Sequence, residues 1–245
     1  MELYPRANER GTSRILKLPK REVKIIDNPL TPEIAIDCEM VEATANGKRF
    51  SVLARVSIVN SNLNPLLDTY VDPMYKVSDY RTRFSGIKPH HLKDAPTFSD
   101  VRDCVVNLVD GRTLIGHDLK QDLEVLGIRN LPGLKLRDTS RCYLSYFRPN
   151  EMASLKRLAE SVLGQTIQKG PHNSMEDAIA AMELYKHWIH LGRNEEDAVP
   201  LEKVGKKKNK NKSRGKRHSP NGKTQPHEGQ EETKAAAALG VEEEW

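Results

Sequence analysis

Side chains alternate in direction along a strand, and the run Glu33 to Glu42 fits that geometry. It is rich in Ile and Val and follows Pro29 and Pro32, so it predicts a strand over 33–42. Two more apolar runs predict strands over 50–60 and 65–71. Asn46-Gly47 marks the turn between the first two and Asn62 to Pro65 the next, which implies an antiparallel start. Further along, the pattern predicts helices over 98–109, 118–126, 152–163 and 174–191, with short strands over 113–116 and 135–138. Strands that alternate with helices pair in parallel. The expected fold class is α/β, with a mixed central sheet flanked by helices. In the last helix Met175, Ala178, Met182, Tyr185 and Ile189 recur at helical spacing as one apolar stripe, and Ser174 is the expected N-cap.

Chemistry-bearing residues fall on this frame in three short segments. Asp37 and Glu39 lie two apart on the first strand and project to one face, while Ile36, Cys38 and Met40 point the other way into a core. Asp118 and Asp122 lie four apart on a predicted helix and share a face there. Asp177 sits just inside the last helix, and His172 precedes it on the Gly170-Pro171 turn. Taken singly each is ordinary: an acidic pair on a strand edge, a charge at a helix start, a solvated histidine. Brought together they give hard oxygen ligands for divalent cations and a base to activate water, the requirements of a two-metal phosphodiesterase. Helical geometry alone does not choose between Asp118 and Asp122.

Residues 34 to about 190 closely resemble the DEDDh 3′–5′ exonucleases, and within them the RNA exonuclease 4 and interferon-stimulated exonuclease branch. The resemblance is carried by Ala35-Ile36-Asp37-Cys38-Glu39-Met40-Val41 and by Leu53 to Asn60. Asp79-Tyr80-Arg81-Thr82-Arg83 with Ser85-Gly86-Ile87 adds to it, as does Gly116-His117 with Asp122. Arg137-Asp138-Thr139, Glu176-Asp177-Ala178 and Ala181 to Tyr185 complete it. It implies a ribonuclease-H-like fold and places the second-motif ligand at Asp122 rather than Asp118. It implies catalytic roles for Asp37, Glu39, Asp122, His172 and Asp177, with the four carboxylates holding two Mg2+ ions for which Mn2+ can substitute. One ion would lower the pKa of the attacking water and the other would stabilise the leaving 3′ oxygen, while His172 takes the water's proton. Met40, Arg81, Arg83, Ile87 and Leu92 are the candidates for substrate contact. The arginines would meet phosphate, and Ile87 and Leu92 would pack on terminal bases; ordinary ion pairing and core packing are the competing readings. One departure stands out. Close relatives often carry Gly where this chain has Glu42.

Charge is unevenly distributed. Of 39 Lys/Arg and 34 Asp/Glu, residues 1–32 hold seven and four and residues 193–245 hold twelve and ten, which leaves 33–192 formally neutral. The expected organisation is therefore a basic, Pro-containing extension over 1–32, an exonuclease domain over 33–192 and a low-complexity tail over 193–245. Lys203 to Arg217 contains nine Lys/Arg and no acid, with Gly, Asn and Ser between them. That run reads as a nuclear or nucleolar address, a sequence-independent phosphate contact, or both. Three cysteines without ligand spacing fit a reducing compartment. Charged residues near the start and the lack of any run near ~20 apolar residues argue against a signal peptide or a membrane span.

The leading expectation is a monomeric, Mg2+-dependent 3′–5′ exonuclease that takes RNA in preference to DNA. It would release nucleoside 5′-monophosphates and serve rRNA or other nuclear RNA processing. The same chemistry directed at single-stranded DNA is the alternative, since no motif here separates the two sugars. A silent RNA-binding scaffold is the third reading, and the presence of all five site residues weighs against it.

Overall fold

The computed structural model describes residues 22–194. The basic run 203–217, the rest of the expected tail from residue 195 and the first 21 residues of the N-terminal extension lie outside the described residues.

Strands β1 (Glu33–Ala45) and β2 (Lys48–Asn60) form a long antiparallel hairpin. Asn46 and Gly47 both take positive φ, 50° and 72°, the conformation that a two-residue hairpin turn needs to match strand twist. β3 (Pro65–Tyr70) extends the sheet beyond β2, and β4 (Val77–Asp79) pairs with the far end of β1. Two single-turn helices follow, α1 (Thr82–Ser85) and α2 (Pro89–Leu92), and then the longer α3 (Phe98–Val109). α3 returns the chain so that β5 (Thr113–Gly116) lies parallel to β1. α4 (Lys120–Val125) does the same for β6 (Lys135–Asp138) beside β5. The strand order β3-β2-β1-β5-β6 puts β1, with Asp37 and Glu39, in the middle of the sheet. α5 (Thr139–Cys142) and α6 (Leu155–Leu158) come next, and α7 (Ser174–His190) closes the described fold. No described helix is long and apolar enough to cross a membrane.

Alternation along β1 splits its residues between two cores. Ile36 and Cys38 pack with Val56, Ile58 and Leu67 against Val101, Val105 and Leu108 of α3 on one face. Ala35, Val59 and Ile115 meet Ala178 and Met182 of α7 on the other. Asp37 and Glu39 share a face with Ala35, so the strand that builds the core also aims its acids at α7. Residues 36, 38 and 40 pack as expected, with Met40 half-buried against the first core.

Four sequence expectations need correction. α7 is not capped by Ser174: Asn173 is the cap, its side chain accepting from the Met175 N–H, and Ser174 is buried with its hydroxyl 2.7 Å from that of Ser57. A hydroxyl with a buried partner on β2 is no longer available to the helix end. Second, the apolar surface of α7 is wider than one stripe. Ala178 and Met182 face the sheet, Leu184 and Trp188 pack with Tyr143, Leu155 and Leu158, and Ile189 is exposed. A helix wedged between two clusters must be apolar on two sides, and a single period hides that. Third, α6 begins three residues later than expected and widens into a π turn over Ala159–Leu163.

The fourth concerns the approach to α4, which starts at Lys120. Asp118 stands outside it with φ 56°, so Asp118 and Asp122 do not share a helical face. The carboxylate of Asp138, at the end of β6, holds this turn. It accepts from the N–H groups of Asp118 at 2.9 Å and Leu119 at 3.1 Å, and from the N–H and hydroxyl of Ser140 at 3.0 and 2.7 Å. Gly116 allows the tight fit: a Cβ there would lie 2.3 Å from the Leu119 side chain. Four donors converging on a buried carboxylate override the helical pattern of 118–126.

Candidate active site

Asp37, Glu39 and Asp177 bring one carboxylate oxygen each within 4.8 Å of one another. Two come from mid-sheet β1 and the third from the first turn of α7, where an acid also complements the helix dipole. Asp177 is delivered there by the packing of Ala178 and Met182 on the sheet and by the Asn173 cap. Glu39 and Asp177 are buried, Asp37 less fully. Asp37 and Asp177 line a cavity of about 400 Å³ whose wall includes His117, Asp118, Ser140, Met152, Gln168 and His172.

The electrostatics of this cluster are unfavourable without a cation. Burial pushes Asp37 well above the usual carboxylate range, and Asp122, Asp177 and Glu39 push it further. Glu39 is raised from 4.5 to about 8, first by burial and then by Asp177, with Arg55 opposing. Asp177 is raised by burial, against the lowering effects of Gln168 and His172. One oxygen of Glu39, Oε1, is buried without a hydrogen-bond partner among the described residues. A buried, unpartnered carboxylate oxygen facing two more carboxylates is an uncompensated acceptor, and a hard divalent cation is the partner that fits it.

Asp122 stands apart from this trio. It is buried on α4, and its pKa is raised by burial and then by Asp118 and Asp138, while the Cys38 thiol hydrogen-bonds to it. It is nonetheless the charge that most strongly raises Asp37. Asp118 is exposed on the turn before α4. Asp122 is thus buried beneath the site, whereas Asp118 lines the cavity with Asp37.

Two histidines border the cavity and differ in availability. The His117 ring is engaged at both nitrogens, Nδ1 at 2.9 Å from the Thr139 hydroxyl and Nε2 at 3.0 Å from the Ala153 carbonyl, and burial lowers its pKa. It anchors β5 to the wall. The His172 side chain is half exposed, with Nδ1 3.7 Å from Asp177 Oδ2. Its backbone N–H donates to the Phe84 carbonyl at 2.6 Å, which ties the loop before α7 to α1. A ring free to turn beside a carboxylate suits a base.

The expected substrate contacts divide. Ile87 is 1 % exposed and packs with Val41, Ala43, Val52 and Ala54, so it supports the wall from behind and offers no surface to a base. Leu92 is half-buried against the same cluster. Met40 is half-buried and Arg83 exposed. Arg81 donates to the Ser51 hydroxyl at 2.9 Å and pairs with Glu42 at 3.5 Å. Glu42 also meets Arg49 and the Ser78 hydroxyl, so its carboxylate is held by its own neighbours.

Several residues that shape the site gave no role in the sequence. Arg55, opposite Glu39 on β2, makes a paired contact with Asp68 at 2.8 and 2.9 Å and donates to the Asn173 side chain at 3.1 Å. It links a counter-charge for Glu39 to the cap of α7. Gln168 donates to both oxygens of Asp177 at 3.0 Å. Strand parity points to Arg55 once the Glu39 pairing is known. No periodicity signals Gln168, which lies in a loop.

A family model described as Exonuclease matches residues 34–185. RNA exonuclease 4 of Saccharomyces cerevisiae is 41% identical over 189 residues, covering 73% of this chain and 65% of that protein. RNA exonuclease 4 of Mus musculus is 43% identical over 162 residues, covering 64% and 36%. Among solved structures, the Saccharomyces cerevisiae Pan2 pseudoubiquitin hydrolase-RNA exonuclease module in complex with A7 RNA superposes with a TM-score of 0.60 at 32% identity, over 70% of this chain and 31% of that one. The chain belongs to the exonuclease family, with its ribonuclease-H-like fold. It spans only about a third to two thirds of the length of these curated relatives.

Two outcomes follow. Glu39 has a folded pKa above its ordinary one, so the metal-free fold keeps that contribution below about pH 4.5 and loses it as pH rises through about 8. In chelator, Glu39→Gln should raise Tm over wild type by about 2 °C or more at pH 8, with the gain fading towards pH 4.5. Thermal melts at both pH values check this, and a gain independent of pH would contradict it. For the α4 turn, Asp122→Ala should abolish nuclease activity and Asp118→Ala should leave most of it. Comparing the purified variants on one substrate decides, and the reverse order would move the ligand to Asp118.

Proposed function

We propose that this chain is a divalent-cation-dependent 3′–5′ exoribonuclease that removes nucleoside 5′-monophosphates from an RNA end. The observation that carries the reading is the convergence of Asp37, Glu39 and Asp177, with an unpartnered Glu39 oxygen, beside a half-exposed His172. The RNA substrate is supported by relatives named RNA exonuclease 4 and by a Pan2 module in complex with RNA. The choice of Mg2+, with Mn2+ as substitute, rests on the all-oxygen donor set.

Asp37, Glu39 and Asp177 would hold the cation, with Asp122 contributing beside Asp37. A cation bound there supplies Lewis-acid activation of water and stabilisation of the leaving oxygen. His172 accepts the proton of the attacking water, whose oxygen forms a bond to phosphorus as the bond to the 3′ oxygen breaks. Solvent returns a proton to that oxygen, leaving a shortened strand with a 3′ hydroxyl and a free 5′-monophosphate. The imidazole Nδ1 lies 3.7 Å from Asp177 Oδ2, which keeps the base beside the carboxylates.

His172→Ala should cut turnover by roughly 10²–10⁴-fold while Mn2+ binding, read by calorimetry, stays near wild type. Equal loss of both would make His172 a ligand. The reading as a whole is tested with matched RNA and DNA strands labelled at the 5′ end or blocked at the 3′ end. Stepwise shortening of RNA that stops at a 3′ block is expected; faster loss of DNA would favour the deoxyribonuclease reading.

A nuclear site of action rests on the composition of Lys203 to Arg217. Deleting residues 200–245 should leave activity on short strands unchanged and flatten the salt dependence of binding to long RNA, because fewer counterions are released. The shortened chain should also lose nuclear concentration by imaging, and unchanged distribution would remove the address.

A further inference from the structure

We infer that Gln168 is a positioning residue that presets Asp177 for cation binding; this rests on the metal-dependent reading of the site. Its amide nitrogen lies 3.0 Å from both Asp177 oxygens, so one donor group spans the carboxylate. Asp177 is 2 % exposed, and Gln168 is the side chain that donates to it there. The third anionic ligand is thereby fixed in rotation before any cation arrives. A carboxylate has about four acceptor positions, so it can keep this donor and still offer a lone pair to the trio's centre.

Gln168 is itself held by three contacts. Its backbone N–H donates to Glu176 Oε2 at 2.9 Å, and its carbonyl accepts from Lys156 Nζ at 3.0 Å. With the side-chain contact to Asp177, these bind the loop to both α6 and α7. The backbone takes φ 53°, a conformation that non-glycine residues seldom adopt. Two of the anchors use main-chain atoms, so the loop stays in place when the side chain changes. This separates a structural role from a role at Asp177. A hydrogen bond to a ligating carboxylate fixes its orientation, and losing such a partner typically costs 10–100-fold in metal affinity.

The test uses the full chain and two variants, Gln168→Met and Glu176→Gln. Mn2+ affinity is read by calorimetry and metal-free Tm by scanning calorimetry, with kcat measured across a Mn2+ series. Gln168→Met keeps length and loses the donor. It should weaken Mn2+ binding about 10–100-fold with a metal-free Tm close to wild type, and kcat should recover to within a few-fold at saturating Mn2+. Glu176→Gln loosens only the main-chain anchor and should change affinity less than Gln168→Met. Unchanged affinity in Gln168→Met overturns the inference, and so does a loss that merely tracks a lowered Tm. Tighter binding in Gln168→Met would also overturn it, by showing that the amide competes with the cation. Wild type that bound no Mn2+ would remove the metal-dependent reading as well, whereas a wild type that binds and cleaves leaves this inference to fail alone.

Discussion

Three carboxylates cannot share a few ångströms of protein interior without something to oppose them. Asp37, Glu39 and Asp177 are each pushed above their ordinary pKa by burial, and Asp177 raises the other two further. Taking an ion out of water costs several kcal/mol per group. The sheet core opposes that cost with side chains that contribute roughly 1.5–3 kcal/mol each when fully buried, among them Ile34, Ile36, Ile58 and Leu114. The strand carrying two of the acids is also paired on both sides, with β2 and β5. Repulsion at the site and cohesion in the core thus act on the same backbone, and neither can be altered alone.

A second layer of residues manages the repulsion without cancelling it. Arg55 gives Glu39 a counter-charge at a distance, and Asp68 keeps that guanidinium from closing on the site. Gln168 donates a neutral hydrogen bond to Asp177, which orders the carboxylate and leaves its charge in place. Asp138 organises backbone on the side of Asp122, taking the donors of the turn that precedes α4. These contacts leave negative charge where the proposed cation would bind. Direct salt bridges to the trio would stabilise the fold and spoil the site.

Much of the fold was legible because it is written in short-range rules. The period-two pattern of β1, the Asn46-Gly47 turn and the helix over 98–109 are each decided by a few neighbouring residues. The meeting of Asp37, Glu39 and Asp177 followed from strand parity and from the family resemblance of the motifs around them. What escaped depends on distant partners. Asp138 breaks the helical pattern at Asp118 from twenty residues away. Ser57 claims Ser174 across the sheet and hands the cap to Asn173. Ile87 looked like a contact residue until its neighbours from β1 and β2 were seen to enclose it.

α7 belongs to two packing clusters at once, the sheet at Ala178 and Met182 and the α5–α6 group at Leu184 and Trp188. At 1.5 Å per residue, Trp188 lies about 16 Å along the axis from Asp177. It is fully enclosed, with its indole nitrogen unpartnered among the described residues, so shape alone fixes it. The helix is therefore held at its far end as well as beside the site, and a volume change at Trp188 is expected to shift Asp177 along or about the axis. Distance from the chemistry is then a poor guide to which positions matter. A survey of inactive variants sorted by proximity to the carboxylates would file the Trp188 end of α7 under stability, although its effect is felt as alignment.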